Sequence, residues 1–177
     1  MKKIIIMSIF VSLLAACATS NQPSIATVSS VSLPKFMGDW YVIAAIPTAI
    51  ETEAYNAVES YKLNEDGTIA TTFTYNKGSF DGKVKTYHPK GFVVENSGNA
   101  LWGMQFIWPI KAEYRIAYLD SNYTKTIIAR NARDYVWIMA RKPVLSDAEY
   151  AELTGFVGKL GYDLGKLRKV PQQSSAK

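Results

Sequence analysis

A glycine two residues ahead of a tryptophan, at the head of an apolar run, constrains this chain more than any other stretch. Lys35-Phe36-Met37-Gly38-Asp39-Trp40-Tyr41 leads straight into Val42-Ile43-Ala44-Ala45-Ile46. Glycine supplies backbone freedom at a tight turn into a strand. The tryptophan presents a large apolar face that a distant part of the chain must cover. Arg141, closing Asp134-Tyr135-Val136-Trp137-Ile138-Met139-Ala140-Arg141, is the candidate, because a guanidinium stacks on an indole face. A first and a last strand joined through that pair close the sheet between them.

Between these ends, strand-like runs alternate with turn chemistry. Strands are predicted over 40–46, 56–63, 68–75, 84–94, 100–107, 111–119, 123–130 and 134–141, the fourth kinked at His88-Pro89-Lys90-Gly91. Asp66-Gly67 is a strong hairpin signal. Then the period changes. Ser146-Asp147-Ala148-Glu149 is a capping box, and Tyr150, Leu153, Phe156, Val157 and Leu160 share one helical face ending at Gly161. Residues 164–170 form a short extended piece suited to a strand edge. The expected fold is all-β: an eight-stranded antiparallel up-and-down barrel with one C-terminal amphipathic helix packed outside.

The N-terminus stands apart. Lys2 and Lys3 precede an apolar stretch, Ile4 to Leu14, and a small-residue site before Cys17, so residues 1–16 read as a secretory signal. Cys17 is the only cysteine, which leaves the domain without an internal disulfide. Removing Lys2 and Lys3 lowers the formal charge from +5 to +3, and apart from one short basic block, Lys166-Leu167-Arg168-Lys169, the remaining charges are scattered, which disfavours nucleic-acid binding. Residues 17–33 read as a flexible tether, 34–170 as the domain, and 171–177 as a disordered tail.

Three motifs in order carry a resemblance. Phe36-Met37-Gly38-Asp39-Trp40-Tyr41 resembles the lipocalin Gly-x-Trp signature, Leu119-Asp120-Ser121-Asn122-Tyr123 the second signature, and Arg141 the third. Asn122 departs from the acidic residue often found in the second. Leu14-Ala15-Ala16-Cys17 resembles the bacterial lipobox. Together they are similar to the bacterial outer-membrane lipoprotein lipocalins of the Blc type. The resemblance implies acylation of Cys17, and Ala18 after it implies the outer membrane, most naturally its periplasmic face. It also implies a barrel closed at the Trp40–Arg141 base, open at the other end, and holding a fatty acid, lysophospholipid or similar lipid in envelope maintenance. It implies no reaction and no cofactor.

Strand alternation turns the motifs into an expected lining. With Trp40 inward, Val42, Ala44 and Ile46 follow it. Solvent-suited Lys62 and Ser60 put Tyr61, Glu59 and Ala57 inside, and Arg115 and Glu113 outside put Tyr114, Ile116 and Tyr118 inside. Met139, Trp137 and Tyr135 share the face of Arg141. The third and fifth strands are ambiguous by parity, with Phe73 and Phe106 buried on one side or the other. Hairpin counting sets Trp108-Pro109-Ile110 at the mouth, where Trp108 either meets a membrane or acyl chain or packs under a neighbouring loop. Glu59 is a carboxylate where a small residue is usual. It is salt-bridged across the cavity, protonated onto a tyrosine, reading a polar headgroup, or turned outside by a slipped register.

These residues describe a binder of an amphiphile. An enzyme is the competing class, and an adaptor that presents the barrel surface is a third. His88, the only histidine, is one candidate acid–base group or haem ligand beside a kink. No Gly-x-Ser-x-Gly, His-Glu-x-x-His or Cys pair accompanies it, so no catalytic or metal site is expected. A homodimer is left open.

Overall fold

A computed structural model describes residues 22–173. The expectations for the signal segment, Cys17, the first residues of the tether and 174–177 fall outside them.

The chain enters through a short helix, α1 (Leu33–Phe36), and runs through β1 (Gly38–Ile46), β2 (Ala54–Leu63), β3 (Ile69–Lys77), β4 (Val84–Tyr87), β5 (Lys90–Val93), β6 (Leu101–Ile107), β7 (Ile110–Leu119), β8 (Lys125–Ala129) and β9 (Val136–Ala140). Helix α2 (Asp147–Lys159) and a two-residue strand, β10 (Arg168–Lys169), follow. All neighbours pair antiparallel, and β1 also pairs with β9. That last pairing closes the barrel. β4 and β5 both lie on β3 and form one stave broken at His88-Pro89, so the closed wall has eight staves as expected.

Two apolar cores result. One fills the barrel: Phe36, Trp40, Tyr61, Trp102, Tyr114, Ile116 and Met139 are all buried in it. The other lies outside, where Leu153 and Val157 of α2 cover Ile43, Ala44, Ile127 and Ile138. Helix α2 starts at the expected capping box, the Ser146 side chain accepting from Glu149 N while the Glu149 carboxylate accepts from Ser146 N. Lys125 Nζ adds an ion pair to Glu149 at 2.8 Å. Ser146→Ala should cost about 1 kcal/mol, measured by urea denaturation; no change would mean that the helix is held by its apolar face alone.

The base is sealed as the motifs imply. Arg141 stacks on Trp40, its guanidinium carbon 3.8 Å from the ring centroid. It also donates to five carbonyls: Lys35, Phe36, Met37, Asp39 and Tyr123. Trp40 Nε1 donates to Phe36 O at 2.8 Å. Gly38 has φ +90°, a conformation that residues with a Cβ rarely adopt, so the backbone requires glycine there; a Cβ would meet Arg141 Nη1 at 3.5 Å, an ordinary contact.

Both ends of the described stretch, 22–33 and 171–173, are docked where flexibility was expected. Residues 22–33 form a strap down the outside of the barrel. Arg133 Nη2 donates to Pro23 O, Ile25 N donates to Asn131 Oδ1, Arg115 Nη1 donates to Ile25 O, and Val28 N donates to Ile116 O. Lower down, Val31 N donates to Gly98 O, and a Cβ on Gly98 would lie 2.1 Å from Ser29 O. Ile25 and Val31 are buried. The tether reading fails here because two apolar side chains and a row of backbone groups find partners on distant strands.

The tail is likewise built in. β1 and β2 pair only between Gly38 and Tyr41, and above that point 168–173 fill the gap. β10 pairs with Ala44 and Ala45, Asn56 N donates to Pro171 O, and Gln172 Nε2 donates to both Val42 O and Ala57 O at 2.9 Å. Residues 171–173 are therefore part of the wall and not a disordered tail.

Candidate ligand cavity

The base half of the barrel is solid. Trp102 stacks on Tyr114 with ring centroids 5.0 Å apart, and Phe36 meets Trp40, Tyr61 and Trp102 at 5.0–5.7 Å. Above this plug lies a cavity with about 660 Å³ of empty space, counting the part that opens to solvent at the mouth. Its apolar walls are Phe73, Met104, Phe106, Ala112 and Trp137, with Ile50 at the top.

Its floor is polar and internally bonded. The Tyr61 hydroxyl donates to Glu59, and Tyr61 Oη lies 2.7 Å from Tyr114 Oη. Glu59 borders the cavity, and burial, helped by the Glu51 charge, pushes its carboxyl up to about 8. Burial and Glu59 together raise Tyr114 well above its ordinary value. At neutral pH the floor is therefore a chain of uncharged hydroxyl and carboxyl groups. Of the readings open for Glu59, the protonated hydrogen bond to a tyrosine is the one the geometry carries; the slipped register is excluded, since Glu59 sits opposite Trp40 and Phe73 with the expected parity.

The β1–β2 connection, 47–53, folds over the opening. Glu51 accepts from Trp137 Nε1 at 2.9 Å and from Thr48 N and Oγ1 at 2.9 and 2.6 Å, and Tyr75 Oη donates to Ile50 O. Arg130 borders the mouth, 3.2 Å from Asp134 and over the Tyr135 ring.

The expected lining is realised unevenly. Glu59, Phe106, Tyr114 and Trp137 border the cavity. Tyr61, Ile116 and Met139 face the interior in the filled part. Tyr135 is half-buried at the rim. Ala44, Ile46 and Tyr118 are corrected: they lie outside, in the core beneath α2, where Tyr118 meets Phe156 at 5.2 Å. The cause is bulges. The β1–β9 register shifts between Val42 and Ala44, and the β7–β8 register between Ile116 and Tyr118. Each extra residue inverts the alternation, so Ala45 takes the inward place expected of Ala44. Trp108 is 82% exposed, so it does not pack under a loop. His88 lies on the exposed side, its Nδ1 3.4 Å from Thr72 Oγ1.

Thr48, Ile50, Glu51, Thr71, Met104 and Arg130 also line the cavity and were not expected there. Met104 follows from Phe106 by alternation once the parity of β6 is known. The loop residues carry no such signal.

The comparisons agree with this geometry. A model of the lipocalin-like domain matches residues 31–172. Temperature-induced lipocalin-1 of Arabidopsis thaliana is 29% identical over 162 residues, covering 84% of this chain and 83% of that protein. The outer membrane lipoprotein Blc of Escherichia coli K12 is 26% identical over 166 residues, covering 92% of each. Among solved structures, insecticyanin of the tobacco hornworm Manduca sexta superposes with a TM-score of 0.68 over 88% of this chain and 87% of its own, at 14% identity, a likeness of fold alone. A barrel with a sealed base, the three signatures in place and a family match across nearly the whole described chain lead to one conclusion: this chain belongs to the lipocalin family and within it is similar to the bacterial Blc-type members.

Proposed function

We propose that this protein holds a single-chain or lyso-type lipid in the barrel at the outer membrane, anchored through acylated Cys17, in maintenance of the envelope. One observation carries the reading: an apolar cavity open at one end of a barrel whose other end is plugged. Family membership supports a hydrophobic ligand inside the barrel, and the Blc relatives are outer membrane lipoproteins by name.

The acyl tail lies between Phe73, Met104, Phe106 and Trp137, and reaches a floor kept neutral by the protonated state of Glu59. An acidic headgroup stays at the mouth beside Arg130, whose guanidinium offers paired donors to a carboxylate or phosphate. The protein acts as a carrier on the periplasmic face and not as a catalyst; the neutral floor about Glu59 serves to exclude charge from the end of the tail.

Native mass spectrometry of the acylated protein extracted from membranes should show a bound lipid mass. In delipidated protein, spin-labelled fatty acid or lysophospholipid should quench Trp137 fluorescence, and Trp137→Phe should remove most of that quenching. An empty cavity together with absent quenching overturns the assignment. Turnover of the bound lipid in the same preparation favours an enzyme instead.

A further inference from the structure

Large apolar side chains are exposed unevenly over this molecule. Of the ten exposed among the described residues, Ile50, Val84, Phe106, Ile107, Trp108 and Ile110 all lie at the mouth end. Four of them form the β6–β7 hairpin, at 51%, 72%, 82% and 68% exposure. That hairpin stands clear of both neighbours. β5 pairs with β6 only up to Gln105, β4 pairs with β3 and not with β6, and β8 begins to pair with β7 only at Arg115. A free-standing tip of Phe, Ile, Trp and Ile is expensive to leave in water. Its residue types suit the boundary of a lipid bilayer, where tryptophan concentrates.

The docked strap says which surface this tip meets. Gln22, the first described residue, lies at the mouth end, its side chain beside Gly161 and Arg133, and Pro23 is held by Arg133 in the β8–β9 connection. Only four residues, 18–21, then lie between Gln22 and Cys17. The five steps from Cys17 to Gln22 span at most about 18 Å, at no more than about 3.6 Å per residue. The hairpin projects by a matching amount: Asn131, on which the strap sits, bonds Glu113, and four residues of β7 and its turn lie between Glu113 and Trp108. Those five steps, at about 3.3 Å each, come to roughly 17 Å. A free tether would have let the barrel turn any face to the membrane. A strap docked as far as Gln22 does not.

We propose that the mouth of the barrel docks on the lipid bilayer that holds Cys17, with the Phe106–Ile110 hairpin inserted in its surface. The inference rests on the acylation of Cys17 in the function proposed above. It makes the membrane itself the source and destination of the cargo: a lipid moves between bilayer and cavity past Phe106, which belongs to both the hairpin and the cavity wall.

The test uses the acylated full-length protein in vesicles of phosphatidylethanolamine and phosphatidylglycerol. Acylation blocks the thiol of Cys17, so Ile107→Cys, or Glu65→Cys in the exposed β2–β3 turn at the base, introduces a unique one. With a membrane-impermeant thiol reagent, Cys at 107 should react at least tenfold more slowly than Cys at 65. Equal rates overturn the docking. Protection that disappears when the protein is diluted in the bilayer assigns the hairpin to a second copy and also overturns it. Because the readout ignores the cavity, a protected hairpin with an empty barrel keeps the docking and removes the carrier reading, and an accessible hairpin with a bound lipid does the reverse.

Discussion

Trp40→Ala should lower the stability of this protein by about 3–5 kcal/mol, the range for deleting a fully buried large aromatic. Trp40 is wholly buried and touches Phe36 within a cluster that continues through Tyr61 and Trp102 to Tyr114. Its loss leaves a void that collapses little, since β1 around Trp40 is held by backbone pairing to β2 on one side and to β9 on the other. Arg141→Ala should cost about 2–4 kcal/mol, because it strands several carbonyls that now receive charged donors. Arg141→Lys should recover little of this: an ammonium has neither the flat face for the indole nor the fork that reaches Lys35, Met37 and Asp39 together. Denaturant titration of the two single variants and the double should give a coupling of about 0.5–3 kcal/mol between them. Strict additivity would mean that the stack contributes no energy of its own and that each residue acts only through separate neighbours.

Glu59 should make the barrel less stable as pH rises. The unfolded chain releases this proton near the ordinary value of 4.5, whereas the folded protein keeps it until about 8. Across that window the native state binds more protons than the unfolded state, so stability is highest below 4.5 and declines towards 8. The slope is on the order of 1 kcal/mol per pH unit. Glu59→Gln keeps the shape and a hydrogen-bond partner for Tyr61 and removes the titration, so urea denaturation at pH 5 and pH 8 should show a clearly flatter pH dependence. Parallel slopes in the two proteins would show that Glu59 is ionised in the folded state. The functional counterpart has the same sign. Above about pH 8 a charge appears on the cavity floor, and affinity for a long acyl chain should drop in the native protein and hold in Glu59→Gln.

What was legible in the residues, and what was not, divides along a physical line. The closure of the barrel could be read from Gly38, Trp40 and Arg141, because a positive-φ glycine, a large indole and a stacking guanidinium each admit few alternatives. The inward places of Glu59, Tyr61, Tyr114 and Trp137 follow from simple alternation along uninterrupted stretches of strand. Ala44 and Tyr118 fail for one reason. A bulge is decided by the pairing of two strands that are distant in sequence, and no local signal at Ile43 or Ala117 announces it. The cavity's upper rim was hidden differently: Thr48 and Glu51 are placed by a loop that bonds Trp137, some ninety residues away in sequence. The strap was misread as a tether because its composition is polar and small. Ser24 and Ile25 are ordered by Asn131, and Pro23 by Arg133.

The gap between β1 and β2, filled by residues 168–173, has a consequence for how the molecule comes into being. A chain is made from its N-terminus, so β1 and β2 exist long before either β9 or the terminal segment that completes their shared wall. Until the last residues arrive, the upper edge of β1 stays open, with Ala44 and Ala45 offering unpaired backbone to any passing strand. Filling this seam is thus a late event, separate from the β1–β9 pairing, that joins segments more than a hundred residues apart, the kind of long-range contact that folds slowly. A chain that stops at Lys166 would retain every signature and all eight staves and still be an unlatched barrel, prone to pair with its own copies.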